Sequence, residues 1–98
     1  MRIVVVDSEW DWDDDGNVDH IARHGVYPED VNELKNNAPR FGLNTPDKSA
    51  THVMIGPNLA GRYLHVAIVE TLRPGTWFVV TANWLNRRRG ERLYSQLA

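Results

Sequence analysis

Two runs of β-forming residues, joined by a Pro-Gly turn, restrict the fold of this chain more than any other feature. The first run, residues 62–70, places Leu64, Val66 and Ile68 on one face. A turn at Arg73-Pro74-Gly75 leads to the second run, residues 77–81. Period-two runs on either side of such a turn predict an antiparallel hairpin. Because both of its faces carry apolar residues, we expect the hairpin at the centre of a sheet that is covered on at least one side.

The length and composition predict a single domain, residues 1–98. A hydrophobic fraction of 42% and a charged fraction of 24% are ordinary for a soluble globular protein. There is no cysteine, which excludes disulfides and thiolate zinc sites. The apolar opening, residues 1–6, is too short for a signal peptide or a membrane span, so we expect a cytoplasmic protein without membrane association.

The charge is distributed unevenly along the chain. Residues 1–50 hold eleven acids against five Lys or Arg, which gives −6. Residues 51–98 hold two acids against six cations, all arginine, which gives +4. Arginine matches phosphate oxygens with a planar two-donor fork, so its exclusive use here favours an anionic partner such as nucleic acid. The alternative is ordinary surface arginines that are partly paired with the acidic half.

An acidic stretch at residues 11–19 fits the first part of a calcium-binding loop, with carboxylates at loop positions 1, 3, 5 and 9 and glycine at position 6. The twelfth position, which requires a bidentate Glu, holds Ala22. We therefore predict no metal site here, and expect instead that one of the aspartates caps the following helix. His20 and His24 are spaced i, i+4, but no third metal ligand accompanies them.

The remaining elements predict an α+β fold. We expect two N-terminal helices, at residues 15–24 and from Pro28 to about residue 36, which pack as a hairpin. This helical hairpin should lie on one face of an antiparallel sheet, whose strands are expected at residues 52–56, 62–70 and 76–82. Ile3 to Val6 are expected to form an edge strand or an arm of the sheet, and residues 39–51 a loop. A C-terminal helix is predicted over residues 86–97, capped by Asn86 or Asn83.

Several segments, in the same order along the chain, resemble the BrnT family of bacterial type II toxins, part of the RelE/ParE-like group. The matching segments are Trp12-Asp13, His20-Ile21-Ala22-Arg23-His24-Gly25-Val26, Pro28-Glu29-Asp30-Val31, Gly61-Arg62-Tyr63-Leu64, Val80-Thr81-Ala82 and Glu91-Arg92-Leu93-Tyr94. The resemblance implies a RelE/ParE-like fold and an endoribonuclease that halts translation without a cofactor. It also implies a ribbon-helix-helix antitoxin partner and, with it, a higher-order toxin–antitoxin complex. One departure is Asn83, where many members of the family have Arg.

Metal-independent RNA cleavage requires a base for the ribose 2′-hydroxyl, an acid for the leaving 5′-oxygen and cations for the charged transition state. We expect Arg62 and Arg88 to act on the scissile phosphate, with Arg92 and Tyr94 shaping the site. His24 or Glu91 would move protons, although the residues alone leave His65 and Tyr94 open for that role. Candidate RNA-binding residues are Arg87, Arg89, Trp84 and Tyr63.

The three arginines at positions 87–89 fall in the first turn of the predicted C-terminal helix, where cations oppose the helix dipole. Such a cluster is explained if an anion binds beside it. The alternative is that Asp13–Asp15 provide that anion within the fold. A catalytically silent relative, which only binds an antitoxin-like partner or nucleic acid, is the second functional hypothesis.

Overall fold

The chain forms one five-stranded mixed sheet with three helices around it, as shown by a computed structural model that describes residues 3–97. The elements in chain order are β1 (Asp7–Glu9), α1 (Asn17–Ala22), α2 (Pro28–Lys35), β2 (Arg40–Leu43), β3 (His52–Pro57), β4 (Tyr63–Glu70), β5 (Thr76–Trp84) and α3 (Arg87–Gln96). The spatial order of the strands is β1-β5-β4-β3-β2, with β1 parallel to β5 and every other pair antiparallel. The predicted α+β class is confirmed.

The central hairpin of β4 and β5 is the one that the sequence predicts. Its pairing runs from Leu64 opposite Trp84 to Glu70 opposite Trp77, with a β-bulge next to the Ala67–Ile68 step. Gly75 in the turn has a φ of 80°, a conformation that residues with a side chain rarely adopt. Strand β3 flanks β4 on its other side, so the three predicted antiparallel strands are confirmed.

The hydrophobic core lies on one face of this sheet, beneath the two N-terminal helices. Residues of α1 and α2, together with Val26 between them, pack against inward-facing residues of β3, β4 and β5. The core members are Ile21, Val26, Val31, Leu34, Met54, Leu64, Val66, Ile68, Trp77, Val79 and Ala82. The prediction that both early helices cover one face of the sheet is therefore confirmed.

Helix α3 crosses the opposite face. The space between that face and α3 is lined by residues that alternate with core residues along β3 and β4, namely Val53, Ile55 and His65. Gly90 allows the close approach, because a Cβ atom at this position would lie only 2.3 Å from Cβ of Tyr63. Thus α3 contacts β3 and β4 and leaves a groove beside them.

Two predictions about the strands are wrong. The N-terminal strand is Asp7–Glu9, not Ile3–Val6, because Val6 N and Asp7 N both donate to Gly75 O and start the parallel ladder there. Ile3 and Val5 pack against the core instead. The expected loop at residues 39–51 contains strand β2, which pairs with β3.

The prediction for the first helix is wrong in its bounds and its cap. Helix α1 begins at Asn17 and not at Asp15, because Asp15 has a φ of 62°, outside the helical region. The cap is Gly16, and no side chain bonds to the end of the helix. The carboxylates of Asp11 and Asp19 instead accept hydrogen bonds from the main-chain N–H groups of Asp13 and Asp15 within the loop.

Residues 3–97 contain no cluster of three or more His, Cys, Asp or Glu side chains that could hold a metal ion. Over the same residues, none of the helices has the length and apolar character needed to cross a bilayer.

Candidate functional site

The arginines at the start of α3 are exposed, and most of them have no acidic partner. Asn86 caps the helix by accepting a hydrogen bond from Arg89 N at 2.9 Å. Of the two caps predicted, Asn86 and Asn83, the first is therefore the one observed. Arg87 pairs with Glu91, with Nε and Oε1 2.8 Å apart. Within residues 3–97, Arg88, Arg89 and Arg92 form no ion pair. Their charge is therefore available to an external anion.

The acidic loop at residues 11–19 does not neutralise the arginines at positions 87–89. Asp15 pairs with Arg23 at 3.0 Å, and both side chains are largely exposed. No ion pair joins Asp13–Asp15 to Arg87–Arg89 in the part of the chain that the structure describes. The alternative in which Asp13–Asp15 supply the anion for the arginine cluster is thus not supported.

Arg62 lies over the indole ring of Trp84, with its guanidinium carbon 4.0 Å from the ring centroid. Trp84 Nε1 in turn donates to Gly25 O at 2.9 Å, and the ring packs against the core. Cation–π contacts of this kind stabilise an exposed pair by roughly 0.5–1 kcal/mol. The indole surface that an RNA base would stack on is thus covered by Arg62, which must move before Trp84 can bind a base.

The two histidines of the N-terminal helical region hold the free edge of β5. His24 Nδ1 lies 2.9 Å from Ala82 O, and His20 Nε2 lies 3.1 Å from Thr81 Oγ1. A carbonyl oxygen only accepts hydrogen bonds, so His24 carries a proton on Nδ1, and in its neutral form Nε2 is the acceptor. This anchoring explains the position of His24 without any role in catalysis.

Tyr94 and Tyr63 hold α3 in place. The Tyr94 hydroxyl donates to Ala38 O at 2.7 Å, and the guanidinium of Arg40 lies 4.2 Å from the Tyr94 ring centroid. Tyr63 packs beneath Gly90, with its ring centroid 6.0 Å from that of Tyr94. Both rings are therefore engaged in packing within the protein.

A cleft opens where the ends of β4 and β5 meet the first turn of α3. His65 on β4 lies directly opposite Asn83 on β5 in the strand register. These two residues line a cavity of about 330 Å³ together with Trp84, Leu85 and Arg89. A second cavity, of about 270 Å³, shares His65 and Arg89 with the first, so the two adjoin. A volume near 300 Å³ is at the lower end of the range for small-molecule sites.

The environment of His65 keeps its imidazole neutral at pH 7. Burial is the main cause and lowers its pKa below the usual 6.5; the positive charge of Arg89 lowers it further, while a hydrogen bond to its own main chain opposes both. A neutral imidazole beside a guanidinium group is able to accept a proton next to an anion-binding group.

Comparison with known proteins gives no relative to guide the assignment. No protein-family model, curated protein or solved structure matches this chain. The assignment of the site therefore depends on its own geometry.

That geometry brings only some of the expected residues together. Arg89 meets His65 and Asn83 in the cleft, and Arg62 is linked to the same end of the sheet through Trp84. Arg88 and Arg92 are exposed and make no side-chain hydrogen bond within residues 3–97, while Glu91 is bound to Arg87. Whether Arg62 and Arg88 act on one phosphate stays a prediction.

His65 is the residue of the cleft that the sequence alone does not single out as the proton carrier. The residues alone leave it open as a proton carrier together with His24, Tyr94 and Glu91. One signal does mark it: a titratable side chain in the middle of an otherwise apolar central strand, between Leu64 and Val66. Such a residue must either be satisfied internally or serve a ligand.

Proposed function

We propose that this chain is an endoribonuclease toxin of a type II toxin–antitoxin pair, with a RelE/ParE-like arrangement of the BrnT type. The observation that supports this most is a group of arginines without carboxylate partners, Arg62, Arg88, Arg89 and Arg92, of which Arg89 lines a cleft that contains a neutral histidine. RNA offers the chemistry that such a surface recognises: a chain of phosphates beside ribose hydroxyls.

The position of the cluster on the fold also supports binding of an anion from outside. Arg88 lies in the first turn of α3, where a cation opposes the helix dipole by about 0.3–1 kcal/mol. No residue within the described chain offsets that cost for Arg88 through an ion pair. A phosphate group would interact favourably with both the guanidinium groups and the dipole.

A catalytically silent binding protein is the second candidate, and two observations favour it. Asn83 occupies the cleft at the position where many BrnT-like chains have Arg, which removes one cation from beside the reacting phosphate. Arg62, expected to contact that phosphate, is engaged by Trp84. A silent relative would keep the partner-binding surface and lack cleavage.

The test of the proposed function is induced expression in bacteria combined with cleavage of RNA in vitro, with and without translating ribosomes. Wild-type protein is expected to arrest growth and to cut RNA. The Arg62→Ala/Arg88→Ala double variant is expected to cut at least about 10²–10³-fold more slowly, because it lacks transition-state cations. Lysine at either position should restore only part of the rate, since an ammonium group lacks the two-donor fork.

Arg73→Ala is the matched control. Arg73 is also an exposed arginine, but it lies in the turn at the opposite end of the hairpin and only approaches Glu9, at 3.8 Å. This variant should cut RNA at the wild-type rate. Equal rates for the folded double variant and the control would show that Arg62 and Arg88 have no part in cleavage, and a wild-type protein that neither arrests growth nor cuts RNA would favour the silent candidate.

The proposal also includes a ribbon-helix-helix antitoxin that covers the arginine-rich surface. Co-expression with the adjacent reading frame is expected to give a stable complex on size exclusion. Because acidic groups of the partner would meet exposed cations, an Arg88→Glu/Arg92→Glu variant should lose the complex at lower salt than wild type does. Separate elution of the two wild-type proteins at low salt would contradict this part of the proposal.

A further inference from the structure

His65 stands at the boundary between the two adjoining cavities beside α3. Its neighbours across the sheet are Asn83 on β5 and Ile55 on β3, and the guanidinium group that lines both cavities with it belongs to Arg89. A ligand long enough to occupy both cavities would therefore lie beside both His65 and Arg89.

The two cavities differ in chemical character. The cavity next to Leu93 is lined by the apolar side chains of Val53, Ile55, Leu93 and Leu97 and by the polar residues Asn44, Thr45 and Gln96. A lining that combines apolar side chains with hydrogen-bonding groups suits a flat heterocycle whose edge carries hydrogen-bonding groups. The cavity beside Asn83 is lined by Arg89, one of the exposed arginines in the first turn of α3.

We infer that this groove binds one nucleotide of an RNA chain and that His65 is the general base for its cleavage. The inference depends on the proposed ribonuclease function and assigns the reaction centre to a different residue from those first expected. The base occupies the cavity next to Leu93, the ribose 2′-hydroxyl faces His65, and the following phosphate lies against Arg89. Asn83, opposite His65, is in position to hold a ribose or phosphate oxygen.

The reaction consumes no co-reactant, and water serves only to carry protons. The neutral His65 imidazole takes the proton of the 2′-hydroxyl as the 2′-oxygen forms a bond to the adjacent phosphorus. The bond from phosphorus to the 5′-oxygen of the next nucleotide breaks, and that oxygen takes a proton from water. The products are a 2′,3′-cyclic phosphate and a 5′-hydroxyl end. Arg89 stabilises the extra negative charge at phosphorus, and the imidazolium of His65 then returns its proton to solvent.

The first test replaces His65 by Asn, which keeps a polar side chain but removes the base. Cleavage of a single-stranded RNA is expected to fall by about 10²–10⁴-fold, the usual contribution of a general base. Binding of the same RNA with a 2′-deoxy nucleotide at the cleaved position, which cannot react, should change by less than about threefold, since no phosphate contact is lost. Circular dichroism and this binding assay show whether the variant is folded.

His52→Asn is the matched control. This variant makes the same substitution on the neighbouring strand β3. His52 pairs with Ile68 and packs against Trp77, away from the groove. Its cleavage rate should equal that of wild type. If His65→Asn does not fold, His65→Gln provides the same comparison.

The pH profile distinguishes a base from a residue that only supports the site. Because the base acts in its neutral form, cleavage should decline as the pH falls through the pKa of His65, which lies below 6.5. Arg89 is the charged group that faces His65 from α3; the residues facing it from β3 and β5, Ile55 and Asn83, are uncharged. Arg89→Gln should therefore raise that pKa and move the acid side of the profile towards higher pH.

The outcomes separate the inference from the function on which it depends. Loss of cleavage in His65→Asn with retained binding, together with a shifted profile in Arg89→Gln, supports His65 as the base. Wild-type cleavage that survives in His65→Asn, or a profile that Arg89→Gln leaves unmoved, overturns the inference and leaves the ribonuclease assignment standing. Absence of cleavage by wild-type protein on free RNA and on translating ribosomes overturns both.

Discussion

Replacing Asn17 by alanine is expected to lower the free energy of unfolding by about 2–4 kcal/mol, because it leaves three main-chain groups without their partner. Asn17 is only 5% exposed. Its Nδ2 donates to Glu9 O at 2.9 Å and Val79 O at 3.0 Å, and its Oδ1 accepts from Asp11 N at 2.7 Å. One amide thus joins the N-terminal segment, α1 and β5. For a domain whose total stability is about 5–15 kcal/mol, this loss is large.

Urea denaturation followed by circular dichroism measures the effect. Asn32→Ala is the matched control, because Asn32 is exposed on α2 and makes no side-chain hydrogen bond within residues 3–97; it should change stability by no more than about 0.5 kcal/mol. Asn17→Asp keeps the acceptor but replaces both donors by a carboxylate facing two carbonyl oxygens, so it should be at least as destabilising as alanine. Equal stability of Asn17→Ala and wild type would contradict this account of the residue.

Gly90→Ala is expected to destabilise the domain by about 1–3 kcal/mol, the usual range for overpacking. At an exposed site inside a helix, the same change would stabilise by about 1 kcal/mol. Here the added Cβ would lie 2.3 Å from Cβ of Tyr63 and 2.4 Å from its Cγ, so α3 would have to move away from the sheet. Because α3 also carries Arg89, the groove beside His65 should widen and cleavage should fall.

Thermal unfolding and the cleavage assay together measure this second prediction. Ser95→Ala, an exposed position on the same helix, is the control and should be close to neutral in both. An increase in stability for Gly90→Ala, as in an ordinary exposed helix, would show that α3 does not sit against Tyr63 as described.

The parts of the fold that the sequence predicts are those determined by local pattern. The β4–β5 hairpin follows from alternation and the Pro-Gly turn, and α2 follows from Pro28 at its first position. Strand β1 could not be predicted, because Asp-Ser-Glu has little β propensity and its pairing depends on Gly75 O, distant in sequence. Strand β2 depends in the same way on tertiary contact: a Cβ at its Gly42 would meet the Leu97 side chain at 2.8 Å.

In the candidate site, too, the features that depend on neighbouring residues can be predicted and those that depend on tertiary packing cannot. The charge of α3 and its Asn86 cap can be read from neighbouring residues, and both are present. The engagement of Arg62 by Trp84, and the burial of His65 beside Arg89, arise from residues more than twenty positions apart. The local pattern marks His65 only as a titratable side chain within an apolar strand and does not show what it contacts. Packing separates it from His24: His24 holds a carbonyl at the edge of β5, and His65 faces the groove.

The parallel pairing of β1 with β5 has a consequence for synthesis of the chain. Asp7 aligns with Thr76, so a contact between the beginning and the last quarter of the sequence completes the sheet. Helices α1 and α2 emerge from the ribosome well before β4 and β5, the strands on which they pack. Such non-local closure is slow and occurs late. The groove beside His65, built from β4, β5 and α3, therefore forms only after Gln96, the last residue of α3, has left the ribosome.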